Sequence, residues 1–133
     1  MAAYFGQAKN NRVCQVELNC RKPTLISAVN LTSTLVEDLE QFDEARAFLQ
    51  ERIPEAIRAL GKDDDLALKL QRMDAQCLYE NANASVGDVT TAIATLGDID
   101  RRQTRIYGAA HPQTVCTRHH LERALLALAH KRA

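Results

Sequence analysis

Four cysteines and four histidines are the side chains of this sequence best suited to metal binding or nucleophilic chemistry. Cys14 and Cys20 are six residues apart, and neither Cys77 nor Cys116 has a Cys-x-x-Cys partner. Structural zinc sites normally show paired short spacings. Cys116 and His120 are four residues apart on a predicted helix and could share a metal. Buried or idle thiols are the favoured interpretation, because free Cys behaves as a small apolar side chain.

The remaining polar groups do not assemble a nucleophile, a base and an orienting group. His111 is expected to start a helix, and His119 and His120 point about 100° apart on one. Asp63–Asp65 lacks the spacing of a calcium loop and fits a solvated helix start. The sequence therefore predicts no enzyme, no cofactor and no metal site, and a metal-dependent or thiol enzyme is the least favoured hypothesis.

Composition narrows the class of protein further. The 133 residues carry 17 basic and 17 acidic side chains, and this balance argues against nucleic acid or a membrane surface as the partner. The absence of Trp argues against a stacking surface for single-stranded nucleic acid. No apolar run reaches the roughly 20 residues of a membrane span. The N-terminus lacks the apolar segment of a signal peptide. We therefore expect a cytoplasmic protein with reduced thiols.

The helices that must position any functional residue are arranged in repeats along the chain. Three positions fit helix ends, where Gly or Asn adopts a left-handed backbone, and three fit the first turn of the next helix. The ends are Asn19, Gly61 and Gly108, and the starts are Pro23, Asp65 and Pro112. The first two copies are 42 residues apart and the next two are 47 apart. Each copy is a helix end, a tight turn and a helix start.

Between these points the apolar residues follow helical spacing. The prediction is a single all-α domain, residues 1–133, built as an antiparallel helix-pair solenoid of about six helices. Its parts are a leading helix (1–19), a first pair (23–61), a second pair (65–108) and a closing helix (112–131). Pro54 should kink the second helix of the first pair, whereas Ser85 and Asp88 resemble a capping box that starts a helix at Val86.

Three segments follow a recognisable repeat pattern. Tyr107–Thr114 matches Leu-Gly-x-x-His-Pro-x-Thr closely, Pro23–Leu31 matches the first-helix stretch, and Phe42–Ala45 matches the start of the second helix. Together they resemble the tetratricopeptide-like repeats of kinesin light chains. Residues 78–88 and 101–112 are also similar to a kinesin-light-chain-like group of single-celled algae. The resemblance covers roughly residues 18–131, and it implies a scaffold that binds protein or peptide on its concave, first-helix face.

The repeat offsets align a polar stripe on the first helices of the pairs. Its candidate partner-binding residues are Asn30, Lys69, Arg72, Gln76, His119 and Arg123. The cationic members would favour an acidic peptide. The alternative interpretation is a row of ordinary solvated positions.

The closing helix supports a second function. Leu125–Ala129 is apolar nearly all round the helix, whereas the ends of a solenoid usually present a polar face. Such a surface predicts burial against another copy, a further repeat or a partner, unless the N-terminal segment covers it. The alternative function is thus a self-associating or assembly-docking subunit that uses its terminal helices.

Overall fold

The computed structural model describes residues 26–132, which form five helices without a strand between them. Helix α1 comprises residues 26–33 and a π-helical turn at Thr34–Asp38; the others are α2 (Phe42–Leu60), α3 (Asp65–Glu80), α4 (Val86–Tyr107) and α5 (Pro112–Arg132). The predicted all-α fold of successive helix pairs is confirmed. The leading helix (1–19), Asn19 and Pro23 lie outside the described residues.

Gly61 and Gly108 end α2 and α4 as the sequence predicts, but with a different backbone conformation. Their φ values are 95° and 93°, with ψ at 153° and 161°. This is an extended conformation of positive φ that is nearly restricted to glycine, rather than the left-handed helical one that Asn also adopts. Each glycine N–H still closes the last helical turn, with N···O distances of 2.9 and 3.0 Å.

The two following helices begin at Asp65 and Pro112, as predicted. The residue before each one caps the helix. The Asp64 carboxylate accepts a hydrogen bond from the backbone N–H two residues further on at 2.9 Å, and the His111 Nδ1 does the same at 3.1 Å. The structural role predicted for His111 is therefore confirmed, and its ring also stacks on Tyr107 with centroids 4.4 Å apart.

The predicted capping box starts α4. The Ser85 Oγ accepts from the Asp88 N–H at 3.0 Å, and the Asp88 carboxylate accepts from the Ser85 N–H at 3.1 Å. By contrast, Pro54 does not interrupt α2, which continues from Phe42 to Leu60. Pro54 and Gln50 are both exposed, so water can satisfy the carbonyl that the proline leaves without a donor.

Helix α3 lies at the centre of the core. A first apolar cluster joins α1, α2 and α3 through residues such as Val36, Leu49 and Leu70. A second joins α3, α4 and α5, for example through Leu78 and Leu96. Because α3 contributes to both clusters, most of its side chains are buried, and it fixes the positions of the first helices on either side.

The end of α1 departs from the predicted helical stripe. The π-helical turn holds more residues than an α-turn, so the positions after it rotate out of register with Leu35 and Val36, which are buried. Leu39 follows Leu35 at helical spacing in the sequence but is consequently 53% exposed. Glu40 then adopts a φ of 52°, a conformation that is uncommon for a residue with a side chain.

Candidate functional site

A cleft of about 650 Å³ lies across the first helices of the successive pairs, near their C-terminal ends. We call it the first-helix cleft. Its principal side chains are Glu37 from α1, Gln76, Tyr79 and Glu80 from α3, and Arg123 and Leu126 from α5. Three consecutive first helices therefore contribute to one concave surface.

One end of the first-helix cleft is acidic. Glu37 and Glu40 line it from α1 and the turn that follows, and Glu80 lines it from the last residue of α3. Neither α1 nor α3 has a basic residue in its last turn. The negative ends of both helix dipoles therefore add to the charge of the carboxylates.

Arg123 is held against the α3 wall. Its Nη2 lies 3.2 Å from the Glu80 Oε2, and its guanidinium carbon is 5.8 Å from the centroid of the Tyr79 ring. The Gln76 Nε2 donates to the same Glu80 oxygen at 3.1 Å. The cleft thus already binds one guanidinium, through a carboxylate and an aromatic face.

A neutral polar pair joins α3 to α5 behind this wall. The Tyr79 hydroxyl and the His120 Nδ1 are 2.6 Å apart and both side chains are buried. Burial, with smaller effects from Arg72, Arg123 and His119, lowers the pKa of His120 to about 4. Burial, reinforced by Glu80, raises the pKa of Tyr79. Both groups are therefore uncharged at neutral pH, and the pair orients the Tyr79 ring.

The first-helix cleft also has apolar lining on two sides. Phe42 and Val36 line it on the α1–α2 side, and Leu126 and Ala127 line it from α5. Leu126 is 63% exposed, an unusual state for a large apolar side chain within a concave surface. The cleft therefore offers carboxylates at one end, hydrogen-bonding groups in the middle and an apolar contact beside them.

The structure separates the six predicted partner-binding residues. Gln76 and Arg123 line the first-helix cleft, whereas Asn30 and His119 are exposed outside it and Lys69 is half-buried on α3. Arg72 is only 8% exposed. Its Nη1 lies 3.5 Å from the Gln113 Oε1, and its Nε is buried without a hydrogen-bond partner.

The charge of this cleft differs from that of the expected basic groove. Arg72 is buried at the α3–α5 contact, and Arg123 is paired with Glu80. Three carboxylates line the cleft, with the Arg123 guanidinium and the His130 imidazole as its basic groups. The prediction counted Arg72 and Arg123 as cations that face a groove and left out their contacts with Gln113 and Glu80.

Sequence reasoning missed the residues that extend the stripe by one step. Adding three to Gln76 leads to Tyr79, and adding three to Arg123 leads to Leu126. Thr34 is the equivalent position on α1, 42 residues before Gln76, and adding three to it leads to Glu37. All three residues reached in this way lie in the cleft. This signal was available, since residues three apart share a helix face. Glu40 could not have been found this way because it follows the π-helical turn.

The cysteine and histidine chemistry does not form a site in the part of the chain that the structure describes. No group of three or more metal-binding side chains is assembled between residues 26 and 132. Cys77 is buried, and desolvation raises the pKa of its thiol to about 12, with Asp74 and Glu80 adding to the effect. Cys116 is four residues from His120, but the His120 Nδ1 is hydrogen-bonded to Tyr79. Cys14 and Cys20 lie outside the described residues.

Comparisons of the chain with protein-family models, with curated proteins and with solved structures gave no match. Across residues 26–132, no helix combines the length and apolar character that crossing a membrane requires. Function must therefore be argued from the first-helix cleft.

Proposed function

We propose that the protein is an interaction scaffold that binds a segment of another protein in the first-helix cleft. The observation that carries the proposal is the convergence of α1, α3 and α5 on one cleft that is neither uniformly polar nor uniformly apolar. Peptide-binding surfaces combine a buried apolar anchor with a few oriented polar groups. Leu126 supplies the apolar contact, and Gln76 and Glu80 supply the polar ones.

The resemblance to kinesin light chain repeats supports the same role, since such stacks offer their first-helix face to partners. A cytoplasmic location and the absence of catalysis belong to this proposal. Acidic partners do not, because the cleft carries more carboxylates than cations.

Nuclear magnetic resonance mapping tests the proposal on the full chain. Peptides selected from a phage-displayed library of random 12-residue sequences would be titrated into the ¹⁵N-labelled protein. We expect the largest shift changes at the ends of α1 and α3 and along the second half of α5. Shift changes confined to other surfaces, or a library without any enriched peptide, would refute the proposed site.

Two adjacent leucines provide a matched pair of variants. Leu126 lines the cleft, and its neighbour Leu125 is 49% exposed without lining it. Leu126→Ser should weaken the selected peptides by about tenfold, as expected for loss of an apolar anchor. Leu125→Ser should leave the affinity unchanged. Equal effects of the two substitutions would contradict binding in the cleft.

Self-association through α5 is a second candidate function. Val115 and Leu125 are both about half exposed on the outer part of this closing helix. Exposed apolar side chains of this size favour burial against another surface. Sedimentation velocity at several concentrations would show dimers that Leu125→Glu dissociates. A protein that stays monomeric at every concentration rules this candidate out.

A further inference from the structure

The charge of the first-helix cleft points to the chemistry of its ligand. Glu37, Glu40 and Glu80 line the cleft, with the Arg123 guanidinium and the His130 imidazole as its basic groups. Between residues 26 and 132, Arg123 forms an ion pair with Glu80, whereas Glu37 and Glu40 take part in no ion pair. The end of the cleft at α1 therefore holds carboxylate charge that the described side chains do not neutralise.

The backbone adds to this negative potential. Both α1 and α3 end at the cleft, and the last turns of these helices carry no basic side chain. The partial negative charge of a helix C-terminus attracts cations within about one turn. The carboxylates and the helix ends therefore act in the same direction.

Gln76 places a further acceptor beside these carboxylates. Its side chain is 7% exposed and lines the cleft. Its amide nitrogen donates to Glu80. Its carbonyl oxygen is not among the fully buried polar atoms that lack a partner, so a ligand in the cleft can reach it. An ammonium or guanidinium group carries only donors, so it matches both this oxygen and the carboxylates.

Arg123 shows how a guanidinium is held in this cleft. It contacts a carboxylate of α3 on one side and the face of Tyr79 on the other. A second cation entering from the partner would find Glu37 and Glu40 on the α1 side. Leu126 lines the same cleft from α5 and is exposed, so an apolar side chain next to that cation in the partner can pack on it.

We infer that the partner segment is basic: an Arg or Lys side chain enters the acidic end of the first-helix cleft while an adjacent apolar side chain packs on Leu126. This inference rests on the proposed function, since it names the partner for the same cleft. The occupant is a protein segment rather than a nucleic acid, whose phosphates the carboxylates would repel.

Peptide selection and two substitutions of opposite expected sign test the inference. Sequences selected from the 12-residue library on the full chain should be enriched in Arg or Lys beside Leu, Ile or Phe. By fluorescence polarisation, the double substitution Glu37→Gln/Glu40→Gln should weaken the best peptide roughly five- to tenfold, as two exposed ion pairs would. Arg123→Gln removes the internal competitor for Glu80 and should tighten the peptide about threefold.

Glu122→Gln is the control, because Glu122 is an exposed carboxylate of α5 that does not line the cleft. It should leave the affinity unchanged. Tighter binding of acidic peptides that map to the cleft, together with weaker binding after Arg123→Gln, would overturn the inference and leave the proposed function standing. Peptides whose shift changes lie outside the cleft would overturn the proposed function itself.

Discussion

His120 makes folding of this protein sensitive to mild acid. Its ring is 9% exposed, and its Nδ1 lies 2.6 Å from the Tyr79 hydroxyl between α3 and α5. Burial lowers the pKa from the ordinary 6.5 to about 4, and Arg72 and Arg123, with a smaller effect from His119, add repulsion from α3 and α5. In the folded protein, the imidazole therefore stays neutral to a much lower pH than in the unfolded chain.

The direction of the pH effect follows from this difference. Well above pH 6.5 the imidazole is neutral in both states, so His120 contributes no pH dependence there. As the pH falls from 6.5 towards 4, the unfolded chain binds a proton and the folded protein does not, so stability is lost. A difference of about 2.5 pKa units corresponds to roughly 3 kcal/mol of unfolding free energy, most of which is lost between pH 7 and 4.5.

Urea denaturation at pH 7.0 and pH 4.5 measures this loss, with His120→Gln as the comparison. Gln lacks the titration but can still bond the Tyr79 hydroxyl. Other groups contribute in both proteins; for example, burial raises the pKa of Asp74, which acts in the opposite direction. Between pH 7.0 and pH 4.5, the unfolding free energy of the original protein should fall by roughly 2.5 kcal/mol more than that of His120→Gln. Equal losses in the two proteins would show that His120 is not buried as a neutral group.

Three further predictions concern helix ends and the central thiol. Gly108→Ala should lower the unfolding free energy by about 1–3 kcal/mol. A Cβ at this position would meet no atom within 4 Å, so the cost comes from the φ of 93°, which is strained for any residue with a side chain. Gly97→Ala, in the interior of α4, should instead stabilise by roughly 0.5–1 kcal/mol, and urea melts distinguish the two. Ser85→Ala should cost about 1 kcal/mol through the lost cap, measured in the same way, and an unchanged midpoint would contradict the cap. Iodoacetamide labelling at pH 8, mapped by mass spectrometry, should modify the half-exposed Cys116 well before Cys77. Cys77 is buried and its thiol pKa is about 12, so little of it is in the reactive thiolate form. Faster labelling of Cys77 than of Cys116 would refute its burial.

Local chemistry explains why the helix boundaries could be predicted from sequence. Gly61, Ser85 and Pro112 each act within one turn of their own position, by a positive φ, a cap or a fixed φ without an N–H. Their effects therefore need no knowledge of the rest of the fold. The conformation at Gly61 was still wrong in detail, since ψ depends on how the next helix packs.

The first-helix cleft could be predicted only in part, because it depends on contacts between helices. Glu80 and Arg123 are 43 residues apart, and their pairing neutralises a guanidinium that the sequence analysis counted as a free cation of the groove. The π-helical turn in α1 is a second example. It precedes Leu39, which faces solvent, and Glu40, which lines the cleft, and periodicity counted at 3.6 residues per turn does not reveal it.

Equivalent positions of a repeat differ because the stack has a middle and two ends. Asn30 and His119 remain exposed on α1 and α5, whereas Arg72, the equivalent position on α3, is buried between its neighbours. A polar residue at the middle position must then bond within the protein, as Arg72 does to Gln113. Gln76 lines the first-helix cleft from the central helix, whereas Asn30 and His119 lie outside it. Substitutions at Asn30 or His119 should therefore change the affinity for the proposed partner segment less than substitution of Gln76.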